Sequence, residues 1–315
     1  MPFINAPDPV VVIVGPTAVG KTEISVQLAE RLGGEIVSCD SRLFYRGMDI
    51  GTAKPTLEEQ ARVRHHLIDV ADPDEVWSLA LFQRAAREVI RDVHYRRKLP
   101  LLVGGTGQYV RAVIQGWDLP EQQPVPGLRN ALEKWGNEIG AEKLHARLSV
   151  LDPAAAELIQ YQNVRRTVRA LEVILRTGRR FSAQRQRLRP VYSLLLIGLT
   201  RPRPELYARI DARIDKMVEQ GLADEVQNLL TKGYSPTLPA MSAIGYRQMV
   251  QYLRGEISLE EVKAQMKRLT RQFVRRQANW FKQNDPEMHW FEVNDRTVDD
   301  IERLLQSNGA WMSAS

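Results

Sequence analysis

Val10-Val11-Val12-Ile13-Val14-Gly15-Pro16-Thr17-Ala18-Val19-Gly20-Lys21-Thr22 runs from an apolar segment into a glycine-bearing loop. Its first five residues are all β-branched, the pattern of a short buried strand. Gly15-x4-Gly20-Lys21-Thr22 is a complete Walker A pattern, and Ile24, Val26, Leu28, Ala29 and Leu32 continue it at helical spacing. Strand, loop and helix in that order give the pattern its physical sense. Glycines let the backbone curl so that successive N–H groups face phosphate oxygens at the positive end of a helix dipole. Lys21 adds a point charge, and Thr22 a hydroxyl for Mg²⁺. The bland alternative is a glycine turn that holds nothing.

Downstream, Glu35-Ile36-Val37-Ser38-Cys39 predicts a second strand ending at Asp40-Ser41, and Leu99-Pro100-Leu101-Leu102-Val103 a third ending at Gly104-Gly105-Thr106. A helical pattern from Leu79 to Arg97 separates them. Strands that alternate with helices predict an α/β fold, a P-loop NTPase-like core with a parallel sheet flanked by helices. Active groups then collect at the carboxyl ends of the strands. From Asp118 the composition turns to Pro, Gln and Glu, and a buried-strand pattern returns only at Tyr192–Leu199. Residues 118–190 therefore read as a small all-helical insertion domain, with 1–117 and 191–315 as the core. Beyond it lie helices over 204–220, 223–232, 244–254 and 259–282 and a late strand over 289–293.

Composition narrows the class. Of 315 residues, 43% are hydrophobic and 26% charged, ordinary globular values. No run approaches the roughly 18 apolar residues of a membrane span. Met1 to Pro7 has neither a basic nor an apolar leader region, so a cytoplasmic protein without membrane attachment is expected. The one cysteine, Cys39, supports neither an internal disulfide nor a zinc site. Adjacent His65 and His66 point apart and make no metal pair. A net charge of +6 is compatible with an anionic partner. Between Lys263 and Lys282 stand seven Lys or Arg and no acid, which reads as a solvated face or as phosphate-backbone contact. Trp280, Phe281, Tyr246 and Tyr109 read either as core or as stacking platforms for bases.

The third strand ends in glycines where a motor-type NTPase carries its metal-organising acid, so the ligand of the loop need not be hydrolysed. Asp40, at the end of the second strand, reads as a general base near the loop, or as a turn acid bonded to Ser41 or a nearby N–H.

The chain resembles the bacterial tRNA dimethylallyltransferases, also called tRNA isopentenyltransferases. The resemblance rests on Gly15–Thr22, on Asp40-Ser41 leading into Tyr45-Arg46-Gly47-Met48-Asp49-Ile50-Gly51-Thr52-Ala53-Lys54-Pro55, and on Val103-Gly104-Gly105-Thr106-Gly107-Gln108-Tyr109. Arg209-Ile210-Asp211-Ala212-Arg213, Ile244-Gly245-Tyr246-Arg247-Gln248 and Thr270-Arg271-Gln272-Phe273 extend it over almost the whole chain. It implies a loop, Gly15, Pro16, Thr17, Ala18, Val19, Gly20, Lys21 and Thr22, that holds the diphosphate of dimethylallyl diphosphate with Mg²⁺ on Thr22. The acceptor it implies is N6 of adenosine 37, beside the anticodon, in loops with adenosines at 36, 37 and 38. Asp40 matches the family's base, and Thr17 and Arg213 match groups that meet charge on the leaving oxygen. For Arg213, helical spacing alone fits an exposed ion-pairing residue equally well.

Contacts to the tRNA anticodon stem-loop are implied for Asp40, Ser41, Arg42 and Leu43, for Thr106 and Arg129, and for Arg165, Arg166, Thr167, Val168 and Arg169. Ala243, Ile244, Gly245, Tyr246, Arg247 and Gln248, and then Arg275, Arg276 and Gln277, complete the implied surface. A monomer is the expected state. Three rivals remain open: a P-loop small-molecule kinase with ATP as donor, a prenyltransferase acting on free adenine nucleotide, and an RNA-binding protein with a vestigial loop. The basic helix and the arginines of the insertion suit RNA better than a small acceptor, and intact Lys21 and Thr22 speak against a vestigial loop.

Overall fold

The structure is a computed structural model describing residues 8–119, 126–185 and 192–307. Expectations for residues 1–7 and for the insertion's ends at 120–125 and 186–190 lie outside the described residues. In chain order the elements are β1 (Pro9–Val14), α1 (Lys21–Leu32), β2 (Glu35–Ser38), α2 (Leu57–Arg62), β3 (His65–His66), α3 (Leu79–Tyr95), β4 (Pro100–Gly104) and α4 (Gly107–Ile114). Then come α5 (Pro126–Ile139), α6 (Ala141–Leu151), α7 (Pro153–Leu158), α8 (Val164–Thr177), β5 (Ser193–Thr200), α9 (Arg203–Glu219) and α10 (Leu222–Thr231). The last are α11 (Tyr246–Leu253), α12 (Leu259–Gln277), β6 (Met288–Glu292) and α13 (Thr297–Ser307).

Six strands form one sheet in the order β3-β2-β4-β1-β5-β6, and every pairing is parallel. Side chains of a strand alternate between faces, and β1 feeds two cores accordingly. Val11 and Ile13 join one cluster with Ile36, Leu101 and Ile197, covered by α1 and α9 to α13. Val10, Val12 and Val14 join the other with Val37 and Leu102, covered by α3 and α4. A strand buried on both faces must be apolar throughout, which is why the opening segment lacks polar alternation. Because β1, β2 and β4 are neighbouring and parallel, the phosphate loop, Asp40 and Gly104-Gly105-Thr106 leave the sheet at one edge.

Two compact units separate: one takes 115–191 together with 78–81, the other the remainder. The smaller holds α5 to α8 and its own core of Leu132, Leu144, Leu148 and Leu171.

Several elements differ from expectation, among them α4 and α13, for which no helix was expected. α2, capped reciprocally by Thr56 and Glu59, and the two-residue edge strand β3 are too short for a periodic signal. α12 stops at Gln277, not at Lys282, because the chain turns there to lay Trp280 on Gly107. A Cβ at Gly107 would stand 2.2 Å from Trp280 Cγ, so the close approach requires glycine.

Candidate functional site

Cations hold the carbonyls of the phosphate loop. Lys21 Nζ donates to the carbonyls of Gly15 (3.0 Å) and Pro16 (2.8 Å). Arg209 Nε donates to Ala18 O and Arg201 Nε to Val19 O, each at 2.9 Å. With the carbonyls engaged, the amides of Ala18, Gly20, Lys21 and Thr22 make no hydrogen bond among the described residues. Ala18 takes a left-handed φ of 64° to achieve this. The result is a row of donors at the start of α1, the arrangement that suits an anion. Burial pulls Lys21 down to about 8; Asp40 opposes that shift and Arg213 adds to it.

Arg213 comes from α9 on the facing side. Its Nη2 donates to Thr52 O at 3.5 Å. Burial holds the guanidinium below its usual value against the pull of Asp40, with Arg209 adding to the depression. The exposed ion-pairing alternative for Arg213 is therefore set aside. Asp40 Oδ1 accepts the Arg42 N–H at 3.0 Å, so the turn reading of this acid holds for one oxygen. Oδ2 has no hydrogen-bond partner among the described residues, and the carboxylate keeps an oxygen for other work.

Two cavities meet here. One, of about 430 Å³, is lined by Lys21, Thr22, Ala53, His65, Arg209 and Arg213. The second, of about 540 Å³, is lined by Ser41, Thr106, Ile214, Phe273, Arg276 and Trp280. Thr17, Ala18, Asp40, Thr52 and Arg213 line both. A group bound in either cavity thus faces the same carboxylate and the same guanidinium.

Thr52 owes its place to Glu225 on α10. Glu225 Oε2 accepts the N–H groups of Asp49 (2.8 Å) and Ile50 (2.7 Å), while Oε1 accepts those of Gly51 (3.1 Å) and the Tyr246 hydroxyl (2.6 Å). One carboxylate fills a cradle of three successive amides. Nothing in the spacing of residues 223–232 distinguishes this acid from a solvated one, and sequence reasoning missed it. Arg201 escaped notice for the same reason.

Several residues expected at the RNA surface have buried side chains. Tyr246 is fully buried, and burial together with Glu225 pushes its hydroxyl well above the usual range. Gln248 is buried and its Oε1 accepts the Gly245 N–H at 3.0 Å. Ala243, Thr167 and Val168 are buried as well. Gln277 is buried, with Oε1 accepting the Thr17 N–H at 2.9 Å and Nε2 donating to Gly105 O at 3.0 Å. These side chains serve packing and bonding inside the protein. Arg247, Arg275 and Arg276 are exposed, as Arg165 is in the smaller unit.

Arg129 and Arg169 both donate to Oε2 of Glu172 at 2.7 Å. Burial would raise that carboxyl, but the two arginines hold it below its ordinary value. Arg42 reaches the carbonyl of Pro239 at 3.1 Å. On the basic helix, Lys267 pairs with Asp215 at 2.9 Å and Arg271 with Asp211 at 2.5 Å, both on α9, and Lys263 with Glu260 at 3.1 Å. The stretch is free of acids in sequence yet faces acids in space. Arg268, Arg275, Arg276 and Lys282 remain without an ion pair among the described residues.

His65 bonds the Val63 carbonyl and His66 the Glu35 carboxylate. Among the described residues no three of His, Cys, Asp and Glu gather as a metal site, and no helix is long and apolar enough to cross a membrane.

Comparison with known proteins bears directly on this geometry. The family model described as IPP transferase matches residues 43–284, and that described as isopentenyl transferase matches 9–74. A tRNA dimethylallyltransferase of Roseiflexus sp. (strain RS-1) is 54% identical over 274 residues, covering 87% of this chain and 90% of that protein. One from Thermomicrobium roseum is 49% identical, covering 92% and 88%. The crystal structure of a tRNA isopentenylpyrophosphate transferase from Bacillus halodurans is similar with a TM-score of 0.71 at 44% identity, covering 98% of each chain. A eukaryotic dimethylallyltransferase acting on tRNA has a TM-score of 0.79 at 27% identity, over 96% of this chain and 79% of that one.

Proposed function

The chain belongs to the IPP transferase family, and from that premise we propose that it transfers the dimethylallyl group of dimethylallyl diphosphate to N6 of adenosine 37 in transfer RNA. The observation that carries the reading is the wall shared by the two cavities, with Asp40, Thr17 and Arg213 open to both. The diphosphate occupies the cavity of Lys21 and Thr22, where loop amides and two cations await it. The adenine enters the other, leaving its stack to do so.

An exocyclic adenine amine is a weak nucleophile because its lone pair is delocalised into the ring. As N6 attacks the allylic C1, its proton passes to the second oxygen of Asp40. The C1–O bond breaks and its electron pair leaves with the diphosphate. Lys21, Arg213 and the loop amides face the oxygen on which that charge grows, so their attraction strengthens toward the transition state.

The donor set also fits Mg²⁺. This ion keeps several waters and takes one or two protein oxygens beside phosphate, so it needs no cluster of acids. The Thr22 hydroxyl, which donates to no protein acceptor among the described residues, would hold it, and the ion would neutralise further charge there. Exposed Arg275, Arg276, Arg247 and Arg165 are assigned to the RNA backbone. Transfer RNA as acceptor accords with an enzyme of the cytoplasm, and a site complete within one chain accords with a monomer.

The test is incubation with Mg²⁺, labelled dimethylallyl diphosphate and unmodified anticodon stem-loops bearing adenosines at 36 to 38, with AMP and ATP as separate controls. Label on adenosine 37 without ATP is the expected result. Label on AMP alone would move the acceptor to free nucleotide, and ATP consumption without prenyl transfer would replace the reading by a kinase.

A further inference from the structure

Gln277 closes the last turn of α12 and is buried, yet it is polar and spans two loops of the site. Burying a primary amide is unfavourable unless its atoms find partners, and here both ends do. Oε1 takes the N–H of Thr17 and Nε2 gives to the carbonyl of Gly105. The fit is close: a Cβ at Gly105 would stand 2.2 Å from Gln277 Nε2 and 3.2 Å from Gly15 O. Gly105, Gly15 and Gln277 are thus packed as one joint between β1, β4 and α12.

The bond to Thr17 differs from the others on the phosphate loop. Lys21, Arg201 and Arg209 hold carbonyls, whereas Gln277 is the only side chain among the described residues that takes a loop N–H. It thereby fixes the Pro16–Thr17 peptide plane and withdraws that amide from the ligand. The orientation of the Thr17 side chain, which borders both cavities, follows from that plane. Arg276, one residue earlier, is exposed and lines the second cavity, so adjacent residues of α12 face the cavity and the loop.

We propose that Gln277 is a positioning residue that sets Thr17 of the phosphate loop against the leaving diphosphate, and makes no contact with RNA. The proposal rests on the prenyl-transfer reading for its effect on rate, but its effect on anion binding stands apart from it.

The experiment uses the full chain with Gln277→Met, which keeps volume and removes both bonds, and Gln277→Glu, which keeps the acceptor toward Thr17 and loses the donor toward Gly105. Calorimetry with Mg²⁺ and inorganic diphosphate reads the loop directly. Filter binding of a stem-loop across a salt series reads RNA contact, and single-turnover transfer reads the chemistry. Gln277→Met is expected to weaken diphosphate binding and slow transfer by about tenfold each, the scale of one or two lost buried hydrogen bonds. RNA affinity and its salt slope stay within about twofold. Gln277→Glu keeps the acceptor toward Thr17 but turns a carboxylate oxygen on the Gly105 carbonyl and sets a negative charge beside the anion site, so it weakens diphosphate binding at least as much as Gln277→Met.

A cycle with Thr17→Ala separates positioning from loosening of the fold. If Gln277 acts through Thr17, Gln277→Met costs far less transfer rate in the Thr17→Ala background than in the parent. Equal losses in both backgrounds, or a fall in RNA affinity with unchanged diphosphate binding, overturns the proposal. If the parent transfers nothing to RNA, the functional reading fails while the diphosphate titration still decides the role of Gln277.

Discussion

On the reading proposed above, Asp40 carries two duties on two oxygens, and substitution can part them. Asn in its place still accepts the Arg42 N–H through its carbonyl, so the turn persists while the proton acceptor is lost. Asp40→Asn is expected to lower single-turnover transfer by about 10² or more, the scale of a general base, with stem-loop binding within a few-fold. Weak RNA binding with normal transfer at saturation would refute the assignment. Lys21 gives a pH signature. Its pKa near 8, set mainly by burial with Asp40 opposing, lies below that of an exposed lysine. Below pH 8 the ammonium is present and binding is at its best; above it, Lys21 must take up a proton as diphosphate binds. Affinity for Mg²⁺-diphosphate should fall as pH rises through about 8, and calorimetry in buffers of different ionisation enthalpy should show the uptake. At this scale the phosphate loop and the place of Asp40 beside it were legible in the sequence because each follows from the end of its own strand. Glu225 and the inward turn of Gln277 were not, since each bonds groups more than a hundred residues away.

α12 shows what helical spacing predicts and what it misses. Its period was legible, and so was its charge, but the partners of Lys267 and Arg271 lie on α9. The helix therefore divides into a part neutralised by Asp211 and Asp215 and a part that presents free cations. Removing both Arg275 and Arg276 should reduce the salt slope of RNA binding by about 1.5, because each phosphate that a cation neutralises contributes roughly 0.7 to 0.9 to that slope; filter binding measures it. Arg271→Ala should leave that slope unchanged and instead lower the unfolding free energy by about 1 kcal/mol. Asp211 Oδ1 is already buried without a partner, although the half-open setting of the pair limits its worth. Gly107→Ala probes the seat of the helix. The added methyl meets the indole of Trp280, and overpacking of this kind costs about 1 to 3 kcal/mol, which a denaturant midpoint will show. The end of α12 was not legible because Trp280 answers to Gly107 on α4 and not to its own neighbours.

For the whole molecule, the class of fold followed from strands alternating with helices, and the sheet is the parallel one expected. Strand order was beyond reach, since β1, β4 and β5 are all apolar and any of them could lie beside any other. β1 at the centre has the largest part in stability. Val12, buried to 1% exposure between Leu102 and Leu196, loses about 2 to 3 kcal/mol on replacement by Ala through lost burial and a residual cavity. Urea unfolding should show a lower midpoint at an unchanged slope. The place of β1 also has a temporal side. Its partner β5 starts at Ser193, so β1 leaves the ribosome well ahead of it, with the whole helical unit made in between. At about 5 to 20 residues per second, on the order of 10 to 40 s pass with one edge of an all-apolar strand unpaired. Nascent chains should therefore lean on chaperones until β5 has been made, and the phosphate loop cannot mature before Gln277 of α12 is available to it.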